Sequence, residues 1–163
     1  MGSGKTTVGK LLAARLGRPL VDTDETIESS TGRTVREIWL AEGEAAYRVL
    51  ETAVVAEALS SPEPSVVSAA GGVVLSAANR DVLAAPDSTV VWLQADPATL
   101  AHRASSGGHR PLLDDDPLGT LQRMAVDRAD LYAEVADVKI DVADRRPAAI
   151  ADEIEALVEG RTP

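Results

Sequence analysis

"MGSGKTTVGK", residues 1–10, decides how the rest of the chain is read. Gly4, Lys5 and Thr6 match the last three positions of G-x-x-x-x-G-K-[ST], and a helical pattern of apolar residues follows them. The chemistry needs those residue types at that spacing. Gly2, Ser3 and Gly4 let the backbone curl until successive N–H groups face a phosphate. Lys5 then reaches the β/γ oxygens, and Thr6, followed by Thr7, sets its hydroxyl on Mg²⁺. The start of a helix adds the positive end of its dipole. A glycine-serine linker or an expression scar would also read this way, but Asp22 and Asp24, an Asp-x-Asp pair after the next apolar run, argue for the phosphate site.

The first glycine of the full motif would lie upstream of Met1, together with the apolar strand that feeds it. Such a strand is the centre of its sheet, and without it buried N–H and C=O groups on both sides lose partners at about 1–3 kcal/mol each. The natural chain is therefore expected to extend further upstream, with an apolar strand ending in glycine.

Composition narrows the class. The 163 residues suit one domain, and 45% hydrophobic residues are enough for a core. With no Phe and only two Trp and two Tyr, that core must be built from Ala, Val, Leu and Ile, which favours helices layered on a sheet. The absence of Cys removes disulfides and thiolate metal sites and fits a reducing compartment, so the cytoplasm is expected. The longest apolar runs, such as "TVVWL", fall short of the about 20 residues that span a membrane. A formal charge of -10 repels polyanions, which argues against nucleic acid and acidic membranes as partners and requires any anionic ligand to be held by local positive groups.

Short β-like runs alternate with helical stretches, as in a parallel sheet with crossover helices. "KTTVGKLLAARLG" reads as a helix stopped by Gly17, and "PLVD" as a strand delivering Asp22 and Asp24 at its carboxyl end. Three helical pieces follow, broken near Thr31-Gly32 and Glu42-Gly43. "SVVSAAGG" is a strand entering glycines, Ser76 caps the next helix, and "STVVWLQA" is the clearest strand. Asp96 and Pro97 open a further helix. "SGGHRPLLDDDPLG" interrupts every period and reads as a mobile surface loop. A helix over about 118–135, the strand "VKIDV" and a helix over 147–159 complete the chain.

Taken in order, "GSGKTT", "DTD", "YRVLE", "AAGG", "RPLL" and "RADLY" resemble shikimate kinase, within the nucleoside-monophosphate-kinase structural group, over essentially the whole length. The resemblance implies a three-layer α/β P-loop NTPase fold whose complete parallel sheet has five strands in the order 2-3-1-4-5, the first strand being missing here. It implies a single kinase domain over residues 1–163, with a substrate-binding helical region at 24–59 and a lid loop at 105–117. The implied reaction moves the γ-phosphoryl of MgATP to the 3-hydroxyl of shikimate.

The roles of individual residues follow from the same resemblance. Asp22 acts with Thr6 near Mg²⁺, and Asp24 addresses the accepting hydroxyl; Asp24 can also cap its helix without conflict. Arg48 and Arg128 grip the substrate carboxylate with two planar forks. Read without the resemblance, Arg48 is a surface arginine pairing with Glu44 or Glu51 at helical spacing. Gly71 and Gly72 bring backbone close to shikimate. Ala70 stands where the family has a first glycine, and it would cost about 1 kcal/mol or more if that position required a positive φ. Arg110 matches the lid arginine over the phosphates, hinged at Gly107 and Gly108, although it could instead neutralise the neighbouring Asp114–Asp116 run. Arg145 fits the arginine that packs on adenine, with Arg146 adjacent. A monomer is expected. The alternatives are a related hydroxy-acid kinase, such as one for gluconate, and a nucleotide-binding protein without turnover.

Overall fold

The computed structural model describes residues 2–105 and 116–160. Helices α1 (Lys5–Leu16), α2 (Thr23–Thr31), α3 (Val35–Ser60), α4 (Ala77–Leu83), α5 (Pro97–Ser105), α6 (Pro117–Val135) and α7 (Pro147–Glu159) alternate with short strands. The strands are β1 (Leu20–Asp22), β2 (Val66–Ser68), β3 (Val91–Gln94) and β4 (Val138–Asp141). A 3₁₀ turn at Val73–Leu75, which the sequence pattern did not announce, links β2 to α4.

Capping chemistry explains most of the boundaries. Gly17 and Gly32 end α1 and α2 in the left-handed conformation that glycine adopts without strain. Asp22 caps α2 by accepting hydrogen bonds from the N–H groups of Asp24 and Glu25. Thr34 and Glu37 bond reciprocally at the start of α3, and Ser76 caps α4. The break expected at Glu42-Gly43 is present: Gly43 has φ 84° and ψ 174° inside the long α3, dividing it into two runs.

The four strands form two parallel ladders. Leu20 to Asp22 pair with Val66 to Ser68, and Val91 to Gln94 pair with Val138 to Asp141. Among the described residues no ladder joins the two pairs. What joins them is α1. Its Val8 and Leu12 are buried with Ile140, Val142, Ile150 and Ile154, and Val66 of β2 together with Val91 and Leu93 of β3 pack against that cluster. Arg15 adds a 2.8 Å ion pair from α1 to Asp152 on α7. A second cluster around Val55, Val74 and Val135 lies under α4 and α6, and a third holds Ile27, Ile38 and Tyr47 between α2 and α3. The loops that follow the carboxyl ends of β1 and β2 thus open toward α3 and α6, and this is where the site is built.

Candidate functional site

Two groups of residues meet at the carboxyl ends of the strands. The first surrounds the start of α1. Gly4 takes φ 81° and leaves the helix without a side-chain cap, whereas α2 to α6 each have one, so the first-turn N–H groups of α1 remain available to an anion. Gly2 sits so close to α5 that a Cβ would lie 2.5 Å from the Leu100 carbonyl oxygen. Lys5 is half-buried at the head of the helix, and its side chain makes no hydrogen bond or ion pair with another described residue. Thr6 donates its hydroxyl to Asp22 Oδ2 at 2.9 Å, and Asp22 is buried. Ser3 and Thr7 flank this arrangement, Ser3 half-buried and Thr7 exposed. The Thr6 and Asp22 oxygens suit a hard cation such as Mg²⁺, which takes few protein ligands and keeps phosphate and water oxygens for the rest. Among the described residues no group of three or more His, Cys, Asp or Glu could hold a metal unaided.

The second group is denser. The Asp24 carboxylate, in the first turn of α2, accepts the Tyr47 hydroxyl at 2.7 Å. That hydroxyl also lies 3.3 Å from Glu51 Oε1. The other Glu51 oxygen accepts from Arg48 Nη1 at 2.8 Å, while Arg48 Nε and Nη2 both donate to Glu44 Oε1. Glu51 is completely buried, and burial pushes its carboxyl above the ordinary value although Arg48 and Tyr47 pull it down. Burial acts to lower Arg48, but the hydrogen bonds and charges of Glu51 and Glu44 outweigh it and hold the guanidinium above its ordinary value. The Tyr47 phenol is raised well beyond its normal range, by burial first and then by the charges of Asp24 and Glu51.

Arg48 and Arg128, 80 positions apart, converge on one stretch of backbone. A Cβ on Gly72 would fall 2.2 Å from Arg48 Nη1 and Nη2, so any other residue there would push the guanidinium aside. Arg128 Nη1 donates to the Gly71 carbonyl at 3.0 Å, and the Tyr132 hydroxyl donates to the same oxygen. Burial raises the Tyr132 phenol, against the opposing charges of Arg128 and Arg48. Aromatic rings back Arg48, and a further pair stacks beside the Gly71 carbonyl. The Arg48 guanidinium carbon lies 5.1 Å from the Tyr47 ring centre and 5.8 Å from that of Trp39, and Trp92 stacks on Tyr132 with centroids 5.1 Å apart.

Ala70 is free of the strain considered above. Among the described residues Asp144 is the only non-glycine with positive φ, and the Ala70 N–H donates to Thr23 Oγ1 at 3.1 Å. Neither Gly71 nor Gly72 takes a positive φ, so at Gly72 the glycine provides room rather than an unusual turn. Arg145 is tied to α7 by a 2.6 Å ion pair with Glu153. Arg110, Gly107 and Gly108 lie outside the described residues. Three participants escaped the sequence reading as site residues: Tyr47, Glu51 and Tyr132. A signal for Glu51 existed, because Tyr47, Glu51 and Val55 form one buried stripe at four-residue spacing, and an acid in such a stripe needs a partner.

The chain is similar to known proteins over nearly its whole length. A family model described as shikimate kinase matches residues 1–159. A shikimate kinase of Symbiobacterium thermophilum is 47% identical over 162 residues, covering 98% of this chain and 90% of the relative. One of Thermobifida fusca is 40% identical over 151 residues, covering 93% and 86%. Among solved structures, shikimate kinase from Acinetobacter baumannii in complex with shikimate superposes with a TM-score of 0.92 at 34% identity, covering 100% of this chain and 91% of that one.

Proposed function

The chain belongs to the shikimate kinase family, and from that membership we propose how its residues carry the reaction. It is an ATP-dependent phosphotransferase of the α/β P-loop type acting on shikimate. In our reading the accepting group is the 3-hydroxyl. Gly2, Ser3, Gly4 and Thr7 cradle the phosphates with backbone N–H groups, and Lys5 stabilises charge on the transferring phosphoryl. Thr6 and Asp22 would hold Mg²⁺, which when bound neutralises phosphate charge. Asp24 orients the hydroxyl and takes its proton, Arg48 and Arg128 clamp the carboxylate, and Gly71 and Gly72 give the ring close access. Arg110 belongs to the nucleotide end on sequence grounds, as does Arg145, whose ion pair with Glu153 would hold its stem near an adenine.

The observation that carries this reading is the meeting of Arg48 and Arg128 at Gly71-Gly72, linked through Glu51 and Tyr47 to Asp24. Carboxylate grip and hydroxyl chemistry then belong to one pocket, as a small hydroxy acid requires. Arg48→Ala tests it. The KM for shikimate should rise about 100-fold while that for ATP stays within about twofold, measured by coupled ADP release. Equal rises in both would overturn the clamp.

The two ladders also fit a larger sheet. A helix that packs on strands of both pairs, as α1 does, is what a strand running between them would lead into, giving the order 2-3-1-4-5 with one strand upstream of Met1. A monomer in the cytoplasm, with small molecules as its only partners, completes the reading. The net charge of -10 supports the exclusion of polyanions, and no described helix is long and apolar enough to cross a membrane.

A further inference from the structure

The Tyr47 side chain touches both groups that the proposed function assigns to opposite ends of the substrate. Its hydroxyl donates to Asp24 Oδ1 at 2.7 Å, and its ring lies under the Arg48 guanidinium, 5.1 Å from ring centre to the guanidinium carbon. The ring has little freedom: Tyr47 is buried with Ile27 and Ile38, and Trp39 packs against it with centroids 5.8 Å apart. A fixed ring fixes the hydroxyl.

We infer that the Tyr47 hydroxyl is a positioning residue for the phosphoryl-transfer step: it occupies Asp24 Oδ1 and so presents Oδ2 to the substrate hydroxyl in one orientation. The inference rests on the reading of Asp24 as the group that meets that hydroxyl. Its logic is the proton count of a phenol. One O–H faces two carboxylates, Asp24 at 2.7 Å and Glu51 at 3.3 Å, and can donate to only one at a time. The shorter contact takes it. Glu51 is left with the Arg48 guanidinium on its other oxygen at 2.8 Å and with only the longer contact to the phenol. The Tyr47 proton then points to Asp24, and Asp24 cannot rotate without giving up that hydrogen bond in a part-buried setting. Phenylalanine at this position would preserve the core and the contact with Arg48 but not the hold on Asp24. The hydroxyl should therefore matter to turnover more than to affinity.

The test is Tyr47→Phe assayed by coupled ADP release beside Asp24→Asn. We expect Y47F to lower kcat about tenfold with the KM for shikimate within about twofold. A kcat equal to that of the parent overturns the inference, and so does a loss expressed in KM alone. Failure of the underlying reading looks different: D24N would then retain the parental kcat, whatever Y47F does. A second measurement stands even if Y47F does not fold. The chain has two tyrosines, so protein labelled with 3-fluorotyrosine gives two ¹⁹F resonances, with Y132F assigning them. D24N and added shikimate should each shift the Tyr47 resonance, and an unmoved signal in both cases rejects the contact.

Discussion

The two groups of residues that we propose as the nucleotide end and the acid end of the site are made from different materials. Around Gly2–Thr7 the working parts are backbone N–H groups and a lysine with no partner among the described residues. Around Asp24, Arg48 and Arg128 they are side chains already bonded to one another, with Glu51 fully buried at their centre. A polyphosphate brings enough charge to organise a loop around itself, so its site can wait. A small acid brings one carboxylate, and the arginines that grip it must be held beforehand by groups of the protein.

That contrast separates activity from stability at one end and joins them at the other. Lys5→Met should lower kcat about a thousandfold while leaving the thermal unfolding midpoint within about 1 °C of the parent, since no bond to another described residue is lost. A large fall in the midpoint would mean that Lys5 holds structure after all. Gly72→Ala should act on both quantities. The added methyl would sit 2.2 Å from two Arg48 nitrogens, forcing the guanidinium off Glu51. Overpacking of this kind costs about 1–3 kcal/mol, and the KM for shikimate should rise about tenfold with it. Unchanged affinity in a destabilised variant would show that Arg48 can move without losing its grip.

The smallest expected effect is on pH dependence. Burial raises Glu51, so between its ordinary value of 4.5 and its raised one the folded state binds more protons than the unfolded state. Stability from this group is complete below the ordinary value and is lost as pH rises through the raised one. The difference in unfolding midpoint between the parent and Glu51→Gln should therefore change across that window, in the direction that penalises the parent at higher pH. A constant difference would place the Glu51 proton elsewhere.

Most of the fold was legible because it is written in local signals. Gly17, Gly32 and Gly43 end or bend helices where glycine tolerates φ that other residues avoid, and Asp96, Pro97 and Ser76 start them. The proposed phosphate loop could be read for the same reason, being one short stretch. The acid end was not, since its members lie on four segments and their meaning depends on burial. Residue spacing alone makes Arg48 a surface arginine with two helical partners, and both pairings are present. What spacing cannot give is that Glu51 has no exposure at all, which turns a weak surface pair into one whose breakage costs about 3–5 kcal/mol. Only the resemblance drew Arg48 and Arg128 together across 80 positions, and Tyr132 carried no local signal that its hydroxyl would meet Gly71.

The placing of the aromatic rings has a practical side. The chain owns two indoles: Trp39 beside Arg48, and Trp92 stacked on the tyrosine that holds Gly71. Both tryptophans therefore watch the half of the molecule that we propose grips the acid, and their ultraviolet emission in the unlabelled protein is a gauge of that half during titration with a small acid.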